Sequence, residues 1–420
     1  MLQSIIAFII VFSVIVIVHE FGHYYFAKRS GILVREFAIG MGPKLFQVRK
    51  GETVYTLRML PLGGYVRMAG LGEEELEIKP GMTVVVEFDQ EEIITRLCFK
   101  KDHLLENGVP IQIKSADLQD KMQVTGYCIN SEEQTTWSVS KTATIIEPNG
   151  TETVVAPIER QFQSASLKNR ILTNFGGPLN NFLLAILTFT IVAFLRGGVE
   201  MNTPEIGSVM PDSPAQIAGI EVGDYITKVA DTPVNTWMEL ATEISKHPNE
   251  AIELELERNG NNQEIKVTPQ STEVDGKEYG RIGIGIHMDQ SFLAKIKYGF
   301  SQTYLLLVTF ISFIGTFFTK GFSVNELGGP VAMYSITSQV VQTGLISVIN
   351  FIGILSVNLG VMNLLPIPAL DGGKLLLNFI ELIRGKKIDP EKEGYVTLVG
   401  AVFLLLLMIV VTWNDISRLF

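Results

Sequence analysis

The sequence predicts a polytopic α-helical membrane protein with about four transmembrane helices, a β-rich cytoplasmic insertion and one compact extracytoplasmic domain. Four long apolar runs, residues 2–18, 182–195, 345–365 and 395–413, predict helices that cross a bilayer, for which about 20 residues are needed. The 420 residues are 47% hydrophobic with a mean hydropathy of +0.28, which is more apolar than a typical soluble protein. Between the runs lie polar stretches with short alternating strands.

The first helix, predicted over residues 1–30, ends in Val18-His19-Glu20-Phe21-Gly22-His23. Residues four apart on a helix share a face, so His19 and His23 can hold one metal ion, with Glu20 beside them as a general base. This is the H-E-x-x-H pattern of zinc hydrolases. A surface helix that carries two histidines by chance is the alternative. Ionisable groups at the end of a membrane-length run are costly, which favours the functional interpretation.

Charge predicts the orientation of the helices. The segment after His23 is rich in basic residues, namely Lys28, Arg29, Arg35, Lys44, Arg49, Lys50, Arg58 and Arg67. By the positive-inside rule this side is cytoplasmic, which places the N-terminus outside and the histidines near the cytoplasmic face. The second helix, predicted over residues 176–197, then returns outward. Arg384, Lys386 and Lys387 mark another cytoplasmic loop before a last helix at 395–414, so the C-terminus is expected outside.

A fifth apolar run, at residues 304–318, tests this orientation. If it crossed the membrane, the Arg384 loop would face the outside, against the positive-inside rule. Residues 295–342 are therefore predicted as interfacial or partly embedded helices and a loop in a plasma-membrane protein.

Residues 31–70 predict a membrane-associated β-hairpin, because alternating apolar residues are interrupted by Gly40-Met41-Gly42-Pro43 and Pro61-Leu62-Gly63-Gly64. Its edge could pair with an unfolded substrate segment. A cytoplasmic connector with no substrate role is an equal alternative.

Residues 71–165 predict an acidic, β-rich cytoplasmic insertion with a hairpin around Asn149-Gly150 and no evident chemistry. Cys98 and Cys128 form no disulfide framework or metal cluster and are interpreted as ordinary side chains. The net charge of -10 comes with no nucleic-acid-binding signature.

The second helix opens with Gly176-Gly177-Pro178-Leu179-Asn180-Asn181. Gly and Pro permit close approach and a break in the backbone, and Asn181 needs a hydrogen-bond partner inside a membrane. That partner is either a structural contact or the backbone of a substrate.

Residues 204–288 predict one compact domain. It contains Ala215-Gln216-Ile217-Ala218-Gly219-Ile220, followed by Val222-Gly223-Asp224-Tyr225-Ile226. This order resembles the PDZ domains of bacterial proteases, and the resemblance implies that the domain binds peptides by strand addition.

The third predicted transmembrane helix, within residues 345–380, ends at Pro366-Ile367-Pro368 and is followed by Asp371. Asp371 lies at the cytoplasmic end of an inward-running helix, as His19 and His23 do. Two histidines and one carboxylate would leave the fourth zinc position open, as catalytic sites require. Capping of a helix is the alternative role for Asp371. Asn358 and Asn363 face the same region and are candidates for holding a substrate backbone.

Together these motifs resemble the site-2 protease family of intramembrane zinc metalloproteases, in particular the bacterial RseP/RasP/Eep group. The resemblance covers nearly the whole chain and implies Zn²⁺ on His19, His23 and Asp371, with Glu20 as base. It also implies substrate contacts from Asn181, Asn358 and Asn363. The chain departs from some relatives in having one PDZ domain instead of two, and the 71–165 insertion has no counterpart in them.

The resemblance further implies endopeptidase activity in regulated intramembrane proteolysis. The expected partners are the lipid bilayer and single-span membrane proteins already cut outside the membrane, such as an anti-sigma factor, with signal-peptide remnants or pheromone precursors as further candidates. Two other functions remain open. A membrane adaptor would use the metal structurally, and a metal transporter would need ionisable residues along its last helix.

Overall fold

The computed structural model describes residues 2–71, 78–100, 105, 107–129, 133–146, 152–274, 276–321 and 323–418. They form two compact units, residues 1–187 with 303–420, and residues 188–302. The helices are α1 (Leu2–Arg29), α2 (Leu167–Leu195), α3 (Pro214–Ala218), α4 (Trp237–Ser245), α5 (Phe292–Lys320), α6 (Pro330–Gln342), α7 (Leu345–Asn363), α8 (Asp371–Arg384) and α9 (Pro390–Ser417).

Three helices, α2, α6 and α7, pack around α1. Val11 and Ile15 of α1 pack against Phe351 and Leu355 of α7, with partly buried apolar residues of α2 and α6 around them. At the N-terminal end of α1, the Ser4 and Ser338 hydroxyls of α1 and α6 lie 3.0 Å apart. Since α7 begins shortly after Ser338 in the chain, α1 and α7 start at the same end of the bundle.

The segment after α1 is a small sheet built from two long, bent strands, β1 (Val34–Lys50) and β2 (Thr53–Met68). Phe37 pairs with both Tyr55 and Val66, so the first half of β1 has β2 on both sides. Gly40 and Gly42 have positive φ angles, which let the strand bend between its two halves. The exposed apolar side chains of this hairpin are Met41, Leu45, Phe46, Val48, Leu57, Met59 and Leu60.

The insertion folds as a small barrel. Its strands are β3 (Thr83–Phe88), β4 (Ile94–Cys98), β5 (Val109–Asp117), β6 (Gln123–Cys128), β7 (Gln134–Ile146) and β8 (Glu152–Val154). The order is β4-β3-β5-β6-β7-β8, and β4 also pairs with β7, which closes the ring. The interior is apolar, as a barrel of this size requires. Thr144 of β7 pairs with Val154 of β8, and Ile146 pairs with Glu152. The predicted Asn149-Gly150 turn between the two strands lies outside the described residues.

The second unit contains a small domain with two helices, α3 and α4, and its own core. Its strands are β9 (Val199–Glu200), β10 (Ile206–Val209), β11 (Tyr225–Val229), β12 (Thr232–Pro233), β13 (Ile252–Arg258), β14 (Asn261–Val267), β15 (Gln270–Val274), β16 (Lys277–Arg281), β17 (Ile284–Ile286) and β18 (Met288–Asp289). The main sheet has the order β12-β11-β13-β14, and β10 pairs with β17. A groove of about 680 Å³ lies between α4 and β17, lined in part by Trp237, Leu240, Ile244, Ile282 and Ile284.

Two helices differ from the sequence-based boundaries. α2 begins at Leu167 rather than at residue 176. It continues through Pro178, as membrane helices can, because neighbouring groups satisfy the backbone groups that Pro leaves free. Residues 345–380 form two helices, α7 and α8, instead of one. Pro366 and Pro368 separate them, and Ala369 has a φ of 76° at the turn.

Five helices among the described residues, α1, α2, α5, α7 and α9, are long and apolar enough to cross a membrane. α5 is far longer than the apolar run at 304–318 indicated. Length and composition do not decide whether a helix crosses, so four spanning helices stays a prediction.

Candidate metal centre

The C-terminal third of α1 carries the two histidines one turn apart. His19 and His23 are both buried, and their Nε2 atoms lie 3.2 Å from each other. The helix continues to Arg29 without interruption, so both rings project from the face that packs against α2. The sequence-based pairing of these two side chains is thereby reproduced in the structure.

Glycines let α1 and α2 cross at backbone contact beside the histidines. A Cβ atom on Gly22 would lie 2.0 Å from the Gly176 carbonyl oxygen. A Cβ atom on Gly177 would lie 2.4 Å from His23 Nε2 and 2.7 Å from His19 Nε2. Any larger residue at 177 would therefore occupy the space between the two rings.

Asp371 reaches the histidines from the first turn of α8. Its Oδ2 atom lies 3.2 Å from both His19 Nε2 and His23 Nε2. The turn that delivers it is tightly packed, since a Cβ atom on Gly372 would lie 2.3 Å from the carbonyl oxygens of Leu364 and Leu365. The N-cap of α8 is Leu370 and no side-chain capping hydrogen bond forms there, so the structure does not show Asp371 in the alternative capping role.

The three donor atoms fit a zinc ion. Ligands about 2.0–2.1 Å from a tetrahedral zinc ion lie about 3.3 Å from one another, close to the 3.2 Å spacings observed here. Asp371 Oδ2 is buried and has no hydrogen-bond partner in the described part of the chain, as expected for an oxygen that ligates a metal. The described residues provide three ligands, which leaves one position of the tetrahedron for water or substrate.

The other ring nitrogens of the histidines contact α2. His23 Nδ1 lies 2.8 Å from the Thr173 carbonyl oxygen, so Nδ1 carries the proton and Nε2 keeps its lone pair for a metal. His19 Nδ1 lies 3.1 Å from the side-chain amide of Asn181, which is fully buried. The adjacent Asn180 donates instead to the Val18 carbonyl oxygen at 3.2 Å.

Glu20 lies next to the metal ligands and beside the hairpin. A Cβ atom on Gly64 of β2 would lie 3.3 Å from Glu20 Cγ, so the absence of a side chain at 64 gives Glu20 room. Glu20 is half-buried, and its carboxylate makes no hydrogen bond within the described ranges. A free carboxylate at this position can accept a proton.

The predicted substrate asparagines occupy two different environments. Asn358 and Asn363 are half-buried on α7, and neither side chain is hydrogen-bonded in the described part of the molecule. Asn181 instead packs against His19, with its Oδ1 atom buried and unpartnered. A role for these residues in substrate binding stays a prediction.

Sequence reasoning missed several parts of the site. Thr173 acts through its backbone carbonyl, for which no side-chain pattern exists. Gly22 was missed although it lies inside the H-E-x-x-H motif, where a small residue is a signal for a close helix crossing. The close approach at Gly177 had been expected from the Gly-Gly-Pro sequence.

The chain is similar to known proteases over nearly all its length. The model of peptidase family M50 matches residues 7–407. The "Probable protease eep" of Enterococcus faecalis is 46% identical and aligns over 100% of both chains. The "Zinc metalloprotease RasP" of Bacillus licheniformis is 40% identical over 100% of both chains. The "Regulator of sigma-W protease RasP" of Bacillus subtilis is 40% identical over 100% of this chain and 99% of its own.

A solved PDZ domain from an SdrC-like protein of Listeria monocytogenes is 19% identical, with a TM-score of 0.18, and covers 21% of this chain and 90% of its own. The family match and the zinc metalloproteases among the relatives agree with the donor set that α1 and α8 bring together. This chain is a multi-pass membrane protein that belongs to peptidase family M50, the site-2 protease family of zinc metalloproteases.

Proposed function

We propose that this protease cleaves single-span membrane proteins within the bilayer, using a zinc ion held by His19, His23 and Asp371. The observation that carries the proposal is the set of three donor atoms 3.2 Å apart, two in the C-terminal part of the apolar helix α1 and one at the start of α8. Ligands in such surroundings suit a peptide bond that lies inside a membrane-spanning segment.

The chemistry divides between the metal and Glu20. When bound, zinc polarises a carbonyl and makes water acidic enough to be deprotonated near neutral pH. Glu20 is adjacent to His19 in the chain and half-buried, so it can accept that proton and later deliver it to the leaving amine. His23 and His19 keep their Nε2 atoms directed to the metal through contacts of their other ring nitrogens.

The hairpin and α7 are suited to hold an unwound substrate. A helical substrate hides its carbonyl groups in its own hydrogen bonds, so local unwinding must be compensated by new partners. β2 passes beside Glu20 at Gly64 and offers a strand edge there. Asn358 and Asn363 offer amide groups without internal partners. The exposed apolar residues at the hairpin end around Met41, Phe46 and Leu60 support its insertion into the membrane.

The PDZ-like domain supplies a candidate substrate filter. Its groove between α4 and β17 has an apolar lining, and β17 pairs only with β10 among the described strands, so its second edge is available. We infer that the domain lies outside the cell and disfavours substrates with bulky ectodomains, so that cleavage follows an earlier extracytoplasmic cut. The relative named for the regulation of sigma-W makes an anti-sigma factor the leading substrate class, ahead of signal-peptide remnants or pheromone precursors.

The decisive experiment compares wild type with Glu20→Gln in reconstituted vesicles, using a single-span test substrate with a short or a bulky ectodomain. Cleavage should fall more than about 1,000-fold in the variant while zinc content stays near one per chain, because Glu20 is a base and no ligand. Glu91→Gln, an exposed change on the barrel, is the matched control. Equal cleavage by wild type and Glu20→Gln would contradict the proposed mechanism, and preference for the bulky substrate would contradict the filter.

A further inference from the structure

The contact between Asn181 and His19 places an α2 side chain directly behind a metal ligand. The amide of Asn181 lies 3.1 Å from His19 Nδ1, and Asn181 is fully buried. Its backbone is fixed as well, because Ser356 Oγ of α7 donates to the Asn181 carbonyl oxygen at 2.8 Å. A side chain held in this way can transmit its orientation to the imidazole ring.

Which ring nitrogen of His19 carries the proton determines whether Asn181 donates or accepts in this contact. His19 Nε2 is the atom that lies 3.2 Å from both other ligand atoms, so it must be unprotonated to bind a metal. The single proton of the neutral ring is then on Nδ1, which needs an acceptor. His23 has its acceptor in the Thr173 carbonyl oxygen.

The side-chain oxygen of Asn181 can serve as that acceptor. Amide oxygen and nitrogen atoms are exchanged by a half-turn of the side chain, and the hydrogen-bond network decides between the two orientations. Oδ1 is at present buried without a partner, while the amide nitrogen faces His19 Nδ1. In either orientation one atom of the amide lacks a partner, so this count does not choose between them. The proton on His19 Nδ1 needs an acceptor, and this selects the orientation with the amide oxygen towards the ring.

We propose that Asn181 is a positioning residue of the metal centre, which accepts the His19 Nδ1 proton and so fixes the tautomer that binds zinc. This inference rests on the proposed zinc site and assigns Asn181 a role other than the substrate contact expected from the family. Residues that hydrogen-bond to ligating histidines typically contribute 10–100-fold to metal affinity.

The test measures the zinc dissociation constant of the purified full-length protein by chelator competition, together with the unfolding temperature of the metal-free form. Asn181→Leu keeps the volume but removes the acceptor and should weaken zinc binding about 10–100-fold. Asn181→Asp keeps an acceptor at the same place and should bind within a few-fold of wild type. Asn180→Leu is the matched control, since it removes a neighbouring contact between α1 and α2 that does not involve His19.

The outcomes separate the two roles. Unchanged zinc affinity in Asn181→Leu, with cleavage lost, would overturn the proposal in favour of a substrate contact. Equal weakening in Asn181→Leu and Asn181→Asp would also overturn it, because the acceptor would then not matter. If Asn181→Leu does not fold, Asn181→Ala, which also removes the acceptor, takes its place, and unchanged zinc affinity in that variant would overturn the proposal. Absence of zinc binding in wild type would refute the zinc site itself, whatever the variants do.

Discussion

Asp371 is the anionic member of the three-ligand set, and its charge distinguishes it from an amide of the same shape. We expect Asp371→Asn to lower zinc affinity more than about 100-fold, because a neutral amide oxygen is a poor replacement for a carboxylate on zinc. Chelator competition measures the change. Asp120→Asn on the barrel surface is the control, and an Asp371→Asn variant that binds zinc as tightly as wild type would remove Asp371 from the ligands.

Asn363 is the residue on α7 best placed for an oxygen that becomes negative during peptide hydrolysis. It ends α7 just before the turn that leads to Asp371, and its amide has no partner within the described residues. We expect Asn363→Ala to reduce kcat/KM about 100-fold with zinc affinity unchanged, as for loss of one oxyanion donor. Asn350→Ala, at the other end of the same helix, should have no effect. A parallel loss of zinc would show that Asn363 serves the metal centre instead.

At the scale of elements, the close crossing of α1 and α2 depends on the absence of a side chain at Gly177. Alanine favours a helix over glycine by about 1 kcal/mol, so Gly177→Ala should not harm α2 itself. Its methyl group would nevertheless lie 2.4 Å from His23 Nε2 and displace the ring. We expect loss of both zinc and cleavage, measured by metal content and activity. Gly315→Ala in α5 meets no atom within 4 Å and is the control. Retention of zinc by Gly177→Ala would show that the crossing can widen.

The hairpin is tied to the rest of the first unit at the turn between β1 and β2. Arg160 binds both oxygens of Glu52 at 2.5 and 2.8 Å, and Lys28 lies 3.9 Å from the same carboxylate. The hydrogen bonds from Arg160 lower the pKa of Glu52 below its usual range. A lowered pKa means that this stabilisation is present above the unfolded-state pKa and is lost as the pH falls through the folded value.

Glu52→Gln should therefore loosen the hairpin at neutral pH. A bidentate pair at a partly exposed site is worth about 1 kcal/mol, which corresponds to roughly fivefold faster amide exchange in β2. The difference from wild type should shrink as the pH falls through the pKa of Glu52. Glu159→Gln, which removes an exposed pair with Lys141, is the control. Equal exchange rates for wild type and Glu52→Gln at pH 7 would contradict the assignment.

The elements show which parts of the site a sequence can predict. His19, Glu20 and His23 share one helix, so helical periodicity alone places them together. Asp371 could be predicted from the expected directions of two helices, which put it at the same side of the membrane as His19 and His23. The double pairing of β1 could not, because bends at Gly40 and Gly42 change the register without changing the alternation of apolar residues. The split of residues 345–380 follows from Pro366 and Pro368, whose helix-ending effect is local.

At the scale of the whole molecule, α5 decides the number of crossings. Its first residue, Phe292, packs against Phe194 at the C-terminal end of α2, with ring centroids 5.6 Å apart. After α5, the Asn325 carbonyl oxygen accepts from Arg418, and Asp415 accepts from the Ala332 amide, both near the C-terminal end of α9. In the predicted orientation the C-terminal end of α9 faces outward. The contacts of Asn325 and Ala332 therefore favour an outer position for the chain that follows α5.

Cysteine labelling tests this arrangement in intact cells. With Cys98 and Cys128 replaced by serine, a cysteine at Ser323 should react with a membrane-impermeant maleimide added outside, because a helix α5 that does not cross leaves the following residues on the outer face. A cysteine at Lys386, in the basic loop after α8, should react only after the membrane is opened, as the positive-inside rule requires. Protection of the Ser323 site in intact cells, with labelling after permeabilisation, would make α5 a fifth crossing. That outcome would start α7 on the opposite side of the membrane from α1 and would contradict the zinc site, because His19, His23 and Asp371 must lie at the same depth.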